Sequence, residues 1–308
     1  MTIRTFTKTL ALAFLGIAAG HSAIANETCS KSPGVALQIL GSGGPIADDG
    51  RASSGYLVWI DGETRVLIDA GGGTFLRFGE AGASFAELDF VGLSHFHTDH
   101  SADFAALLKS GNFSARKQSL RVAGPAGARQ FPGLNGFLTS LFDGDSGAYA
   151  YLSSYLDGTS GTPMLTRREV GQGEQVIVYT SDDLVVDAMR VPHGIVPAVA
   201  FRVRSGEDTI VFASDQNGGD PAFAEFAADA SILVMHMVVP EDIAGVGRRL
   251  HAPPSVIGTI AATANPDTLV LSHFMARSLR DLGRNVELVR ERYRGEVVLA
   301  DDLMCVLP

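Results

Sequence analysis

Residues 89–94, DFVGLS, form an apolar run of buried-strand length that opens directly into His95-Phe96-His97-Thr98-Asp99-His100. Any fold for this chain must therefore place a buried strand so that its C-terminal end delivers three imidazoles and a carboxylate into one small space. Histidine is scarce here, eight in 308 residues, so three within six positions need a chemical reason. Imidazole and carboxylate are the ligands that zinc and similar divalent ions prefer. In an extended segment alternate side chains share a side, so His95 and His97 can share one ion. Asp99 and His100, beyond a bend, face a second position.

The rest of the chain alternates strand and helix signals, with no internal repeat and no linker. GVALQIL (34–40) reads as a strand. GYLVWI and TRVLIDA flank Asp61-Gly62-Glu63, a hairpin signature. Further strand signals are LRVAG, QVIVYT, LVVDAMRV, AVAFRVR, DTIVFAS, SILVMH, DTLVLS and VVLA. Helical periodicity covers 102–110, 220–229, 255–264 and 276–292. This pattern predicts a layered α/β sandwich in one large domain. His193, Asp215 and His273 each follow a strand signal, where open α/β architectures gather their sites. GSGGP (41–45) lacks both phosphate-loop spacings and reads as a plain turn. Residues 143–163, rich in Gly, Ser and Tyr, carry no clear period and read as a mobile surface excursion or a lid over the site.

The N-terminus has the form of an export signal: Arg4 and Lys8, an apolar core at 10–19, then Ala23-Ile24-Ala25 before a cut. This predicts a leader at 1–25 and a mature domain at 26–308, periplasmic or secreted. The apolar core is too short to span a bilayer, which takes about 20 residues, and no stable membrane association is expected. Loss of Arg4 and Lys8 moves the formal charge from −10 to −12. An acidic chain lacks the electrostatic footprint for nucleic acid, so a small molecule is the expected partner. In an oxidising compartment the two cysteines, Cys29 and Cys305, are expected to pair and tie the chain ends.

The order HFHTDH, VPHG, FASD and LSHF resembles the metallo-β-lactamase superfamily, and most closely its ribonuclease Z-like branch. LGSGGP, YLVWI and RVLIDAGGGT resemble that branch's opening strands, and VVLADDLMCVL its closing one. The resemblance implies a four-layer αββα sandwich with two divalent metal ions at one edge, Zn2+ first, with Mn2+ or Fe2+ also suited to these ligands. It implies His95, His97 and His193 on the first metal, Asp99, His100 and His273 on the second, and Asp215 bridging. Asp69 would support the site from beside it. A metal-bridging hydroxide would be the nucleophile, with Asp99 orienting it. His236 and His251 fall where the branch carries substrate-contacting or proton-donating histidines, yet Met237 replaces a glutamate and Ala252-Pro253-Pro254 replace a small-hydroxyl run. Arg277 is a candidate oxyanion contact, and the resemblance is compatible with a homodimer.

Transfer-RNA processing in that branch depends on a long basic arm between the equivalents of His193 and Asp215. Only 21 residues separate them here, and they carry two strand signals. The commonest zinc β-lactamases place a cysteine in the second metal site, and this chain has none there. The expected activity is therefore an exported binuclear-metal hydrolase of small phosphodiester or sulfate esters, a phosphodiesterase or arylsulfatase. Lactone, carboxylic-ester or β-lactam hydrolysis is the alternative within the fold, and a non-catalytic, metal-stabilised binding protein the alternative outside it. Export is checked by N-terminal sequencing of the mature protein, which is expected to begin at Asn26.

Overall fold

A computed structural model describes residues 29–173 and 175–308, and the predicted leader lies outside them. The strands are β1 (Val35–Gly41), β2 (Gly55–Ile60), β3 (Glu63–Ile68), β4 (Phe90–Gly92), β5 (Leu120–Pro125), β6 (Leu165–Val170), β7 (Gln175–Thr180), β8 (Val185–His193), β9 (Val196–Ser205), β10 (Asp208–Phe212), β11 (Ile232–His236), β12 (Thr268–Ser272), β13 (Glu296–Leu299) and β14 (Cys305–Val306). They make two seven-stranded sheets, ordered β14-β1-β2-β3-β4-β5-β6 and β13-β12-β11-β10-β9-β8-β7. Each sheet begins with antiparallel neighbours and turns parallel from β3 or β10 onward. The Asp61-Gly62 turn joins β2 to β3 as expected, with both residues at positive φ (52° and 80°).

Side-chain alternation explains why the first three strands read as near-continuous apolar runs. Leu37, Ile39, Tyr56, Val58, Val66 and Ile68 face the core shared by both sheets. Their neighbours Ala36, Leu40, Leu57, Trp59 and Leu67 face the outer layer, where Phe104, Leu108, Leu134 and Phe142 of two helices cover them. Helices Pro254–Ala264 and Leu282–Arg292 bring Ile257, Ile260 and Val289 to the other sheet. The result is the expected αββα sandwich.

Three sequence expectations are corrected. The 276–292 pattern is two helices, Ala276–Leu279 and Leu282–Arg292, because Asp281 leaves helical geometry (φ −130°, ψ 48°) and the buried Asn285 side chain takes the Ser278 carbonyl. The 143–163 segment is not a loose excursion. Short helices at Ala150–Leu152 and Ser154–Asp157 sink Leu152 and Tyr155 into the outer core, and the Tyr155 hydroxyl donates to the Leu108 carbonyl at 2.7 Å. β6 gave no strand signal because LTRREV is an edge strand whose charged middle faces solvent.

Cys29 and Cys305 form the expected disulfide, with Cα atoms 5.5 Å apart and a sequence separation of 276. It fastens β14 and the chain's first described residues to β1, where Gln38 pairs with Cys305. Replacing Cys29 by Ser is expected to cost about 2–4 kcal/mol of unfolding free energy, read in urea titrations. An unchanged midpoint would show that the bridge does not constrain the unfolded chain.

Candidate metal centre

Every cluster residue arrives from a strand end. β4 leads through Leu93 and Ser94 to His95, and His97, extended at φ −63° and ψ 149°, starts the one-turn helix Thr98–Ser101 that carries Asp99 and His100. His193 closes β8 and His236 closes β11. Asp215 follows β10, and His273 follows β12. Asp69, Ser214 and His273 hold left-handed backbone (φ 61°, 59° and 55°) immediately beside or within this ring. Each costs a non-glycine residue about 1 kcal/mol or more and persists only where surroundings fix it. The sharp turns let the chain leave a strand and still aim its side chain back into the sheet edge.

The structure brings all seven expected ligand residues together. His95, His97 and His193 form one group and Asp99, His100 and His273 another, with ligand atoms in each within 4.8 Å of one another. Asp215 belongs to both neighbourhoods, grouping with His95 and His100 and again with His236 and His273. His95 Nε2 meets His97 Nδ1 at 3.0 Å, and His100 Nε2 meets His273 Nε2 at 3.1 Å. His100 Nδ1 donates to Asp69 Oδ2 (2.8 Å), so Nε2 is the nitrogen turned toward the other ligands. His193 Nδ1 likewise faces the Leu250 carbonyl at 2.9 Å, and its buried Nε2 has no hydrogen-bond partner. Buried lone pairs converging with two carboxylates fit divalent cations, and this N/O donor set suits zinc, manganese or iron.

Support comes from beneath. Asp69 accepts from Ser94 N (2.7 Å), Ser94 Oγ (2.8 Å) and His100, as its expected supporting role requires. Tyr56, which sequence reasoning missed, donates to Ser272 Oγ at 3.0 Å and meets His236 Nε2 at 3.0 Å. His236 Nδ1 in turn holds Asp215 Oδ1 at 2.7 Å. Its catalytic assignment is therefore corrected: both ring nitrogens are engaged, the residue is buried, and it does not line the cleft over the site. His236 positions Asp215.

Electrostatics set the protonation states that metal binding needs. Burial holds His95 well below the ordinary imidazole range and His193 below it, and takes His236 down to about 4. Burial opposes ionisation of Asp215, but His273, His251 and the His236 hydrogen bond keep it well below the usual carboxylate range. Asp99 falls to about 2, with burial outweighed by His100 and His273. His100 is the exception: burial disfavours its charge, yet Asp69, Asp99 and Asp215 raise it to about 9.

A cleft of about 560 Å³ opens over the cluster, lined among others by Phe96, Asp99, His251, Met275 and Arg277. His251 Nδ1 is buried without a partner and 3.7 Å from Asp215 Oδ2. Arg277 Nε donates to the Val238 carbonyl at 3.0 Å. No residue of 143–163 is among the cleft's lining, so that segment is not a lid in this structure. The 41–45 loop is more than a plain turn: a Cβ on Gly44 would stand 2.8 Å from His273 Cε1, so only glycine lets the imidazole lie there unmoved. Removing the Asp69 carboxylate (Asp69→Ala) is expected to weaken zinc binding by about 10–100-fold in chelator competition. Unchanged affinity would show that Ser94 alone holds His100.

Comparisons with known proteins agree with this geometry. Residues 64–274 match the family described as a beta-lactamase superfamily domain. The chain is 28% identical to a ribonuclease Z of Mycobacterium marinum over 287 residues, covering 85% of this chain and 99% of that one. Among solved structures it is similar to the short form of human tRNase Z, with a TM-score of 0.68, 20% identity, and coverage of 88% of this chain and 98% of that one. It is also similar to a diphosphatase of the PhnP family, with a TM-score of 0.61, 15% identity, and coverage of 88% and 96%. With the two-sheet sandwich and the histidine–aspartate cluster at its edge, these matches make the chain a member of the metallo-β-lactamase superfamily and a metal-dependent hydrolase by family, with ribonuclease Z proteins among its relatives.

Proposed function

We propose that the mature protein is an exported two-metal hydrolase of small phosphodiester or sulfate esters. One observation carries the reading: two ligand triads and a shared Asp215 lie under a cleft of small-molecule size, about 560 Å³. His95, His97, His193, Asp99, His100, His273 and Asp215 would hold two divalent ions, which would supply an acidified water and stabilise the charge that develops on the ester. The chain's own residues do the rest. Asp99, ionised and facing the cleft, accepts a hydrogen bond from the attacking water and so aims it. Burial brings His251 down to about 3 against the pull of Asp215, so at neutral pH it meets the ester as a neutral imidazole. It can donate one hydrogen bond to the leaving oxygen, which favours leaving groups that depart without full protonation. Arg277, anchored through Nε, offers its remaining donors to a non-bridging oxygen.

The relatives named ribonuclease Z raise the alternative of a tRNA substrate. Against it stand the acidic balance and the 21 residues between His193 and Asp215, of which β9 and β10 take up 15. The PhnP-family neighbour, titled a diphosphatase, fits a small phosphorylated substrate better. The Cys29–Cys305 bridge suits an oxidising compartment and so supports export.

Zinc-loaded mature protein is expected to hydrolyse bis(p-nitrophenyl) phosphate, with Asp215→Ala slower by roughly 100-fold or more, beyond the usual loss for a residue that only supports a ligand. Absence of turnover with two metals bound would overturn the phosphodiester assignment and move sulfate, then carboxylic, esters forward. Cleavage of a tRNA precursor in preference to the small diester would overturn the small-substrate reading.

A further inference from the structure

A second cavity, about 890 Å³, lies beside the metal centre and shares His193 with its cleft. β8 forms its floor from Met189 to His193, and Ala128, Arg129, Gln172, Gly173 and Gln175 also line it. Its chemistry differs from that of the cleft. Arg190 lies half-buried in the floor, where Nη1 donates to the Ala126 carbonyl at 3.0 Å. Among the described residues no carboxylate comes within ion-pair distance of Arg190, and burial alone pulls its pKa below the ordinary guanidinium value. A guanidinium has five donors, and partial burial without an anion is costly. Arg129, at the lip and also without an ion pair among the described residues, is held at φ 54° by the short Ala128–Phe131 bridge. Asp220, also in the lining, is the competing charge, but its Oδ1 is committed to the Ala222 amide at 3.0 Å.

We propose that this cavity receives the non-reacting end of the substrate and that Arg190 binds a carboxylate there. The position of the reacting end rests on the hydrolase reading above. A carboxylate suits the site better than a dianion, because one half-buried guanidinium shares the lining with the Asp220 carboxylate. Alternate residues of β8 face opposite sides, yet Arg190 and His193 both line this cavity. Their Cα atoms, three residues apart, are about 10 Å from each other along the strand, so an arm of four or five carbons suits the span. The natural substrate class is thus an ester whose non-reacting arm ends in a carboxylate, and Arg190 is a specificity residue for it.

The test is calorimetric and independent of turnover. Zinc-loaded protein is titrated with pentylphosphonate and with 5-phosphonopentanoate, which share the group for the metal centre and differ at the far end. The carboxylate is expected to tighten binding by about ten-fold or more, as a charge-assisted pair does. In Arg190→Met the two ligands should bind alike, while Arg190→Lys should keep part of the preference. Equal binding to the unaltered protein, an undiminished preference in Arg190→Met, or no measurable binding of the carboxylated ligand would each overturn the proposal. Failure of the bis(p-nitrophenyl) phosphate assay would instead strike the ester assignment, since the binding ratio does not depend on which ester is cleaved.

Discussion

The crowding of seven ligand residues at one sheet edge is the constraint on which this structure turns. Ring nitrogens of His95 and His97, and of His100 and His273, approach to 3.0 and 3.1 Å, with three of the four rings buried. Asp99 and Asp215 add buried negative charge beside them. A protein that crowds such atoms together sacrifices stability unless a cation sits among them. The sandwich and the left-handed strand ends are the frame that holds these groups together.

The frame works because both sheets turn parallel on the side where the site lies. Parallel strands end together, so β10, β11 and β12 set down Asp215, His236 and His273 in neighbouring positions, and β4 of the other sheet answers with His95 to His100. Beneath the ring, a chain of hydrogen bonds from Tyr56 through His236 to Asp215 joins the two sheets across their shared core. Asp69 does the same for His100 within its own sheet. Metal ligands are commonly oriented by such partners; here Tyr56 lies within β2, His236 closes β11 and Asp69 follows β3. The second cavity borders this rigid edge through His193, so a substrate arm held there would be fixed relative to the reacting centre.

Much of this was legible in the chain because strand burial and ligand chemistry leave local marks. Period-two alternation within buried runs revealed most strands, and HFHTDH with His193, Asp215 and His273 marked the cluster before any contact was known. The roles of His236 and of residues 143–163 were read wrongly because both depend on what lies across the fold. His236 is turned away from the cleft by its partners Tyr56 and Asp215, which are 180 and 21 residues distant in sequence. The 143–163 segment has no period, yet two of its side chains are buried in a core built by helices elsewhere. Nothing near Gly44 in sequence announces that His273 will lie against it.

The sequence by itself determined the layered α/β class, the ligand types and their order, because hydrophobic period and donor chemistry are properties of short segments. It also carried the pairing of its only two cysteines. Tertiary structure alone decided which histidine faces substrate and which stands behind a ligand, where the chain must adopt left-handed turns, and that an unpaired arginine floors a second cavity. Those features are set by distances between atoms far apart in the chain, and such distances exist only once the two sheets have closed on their common core.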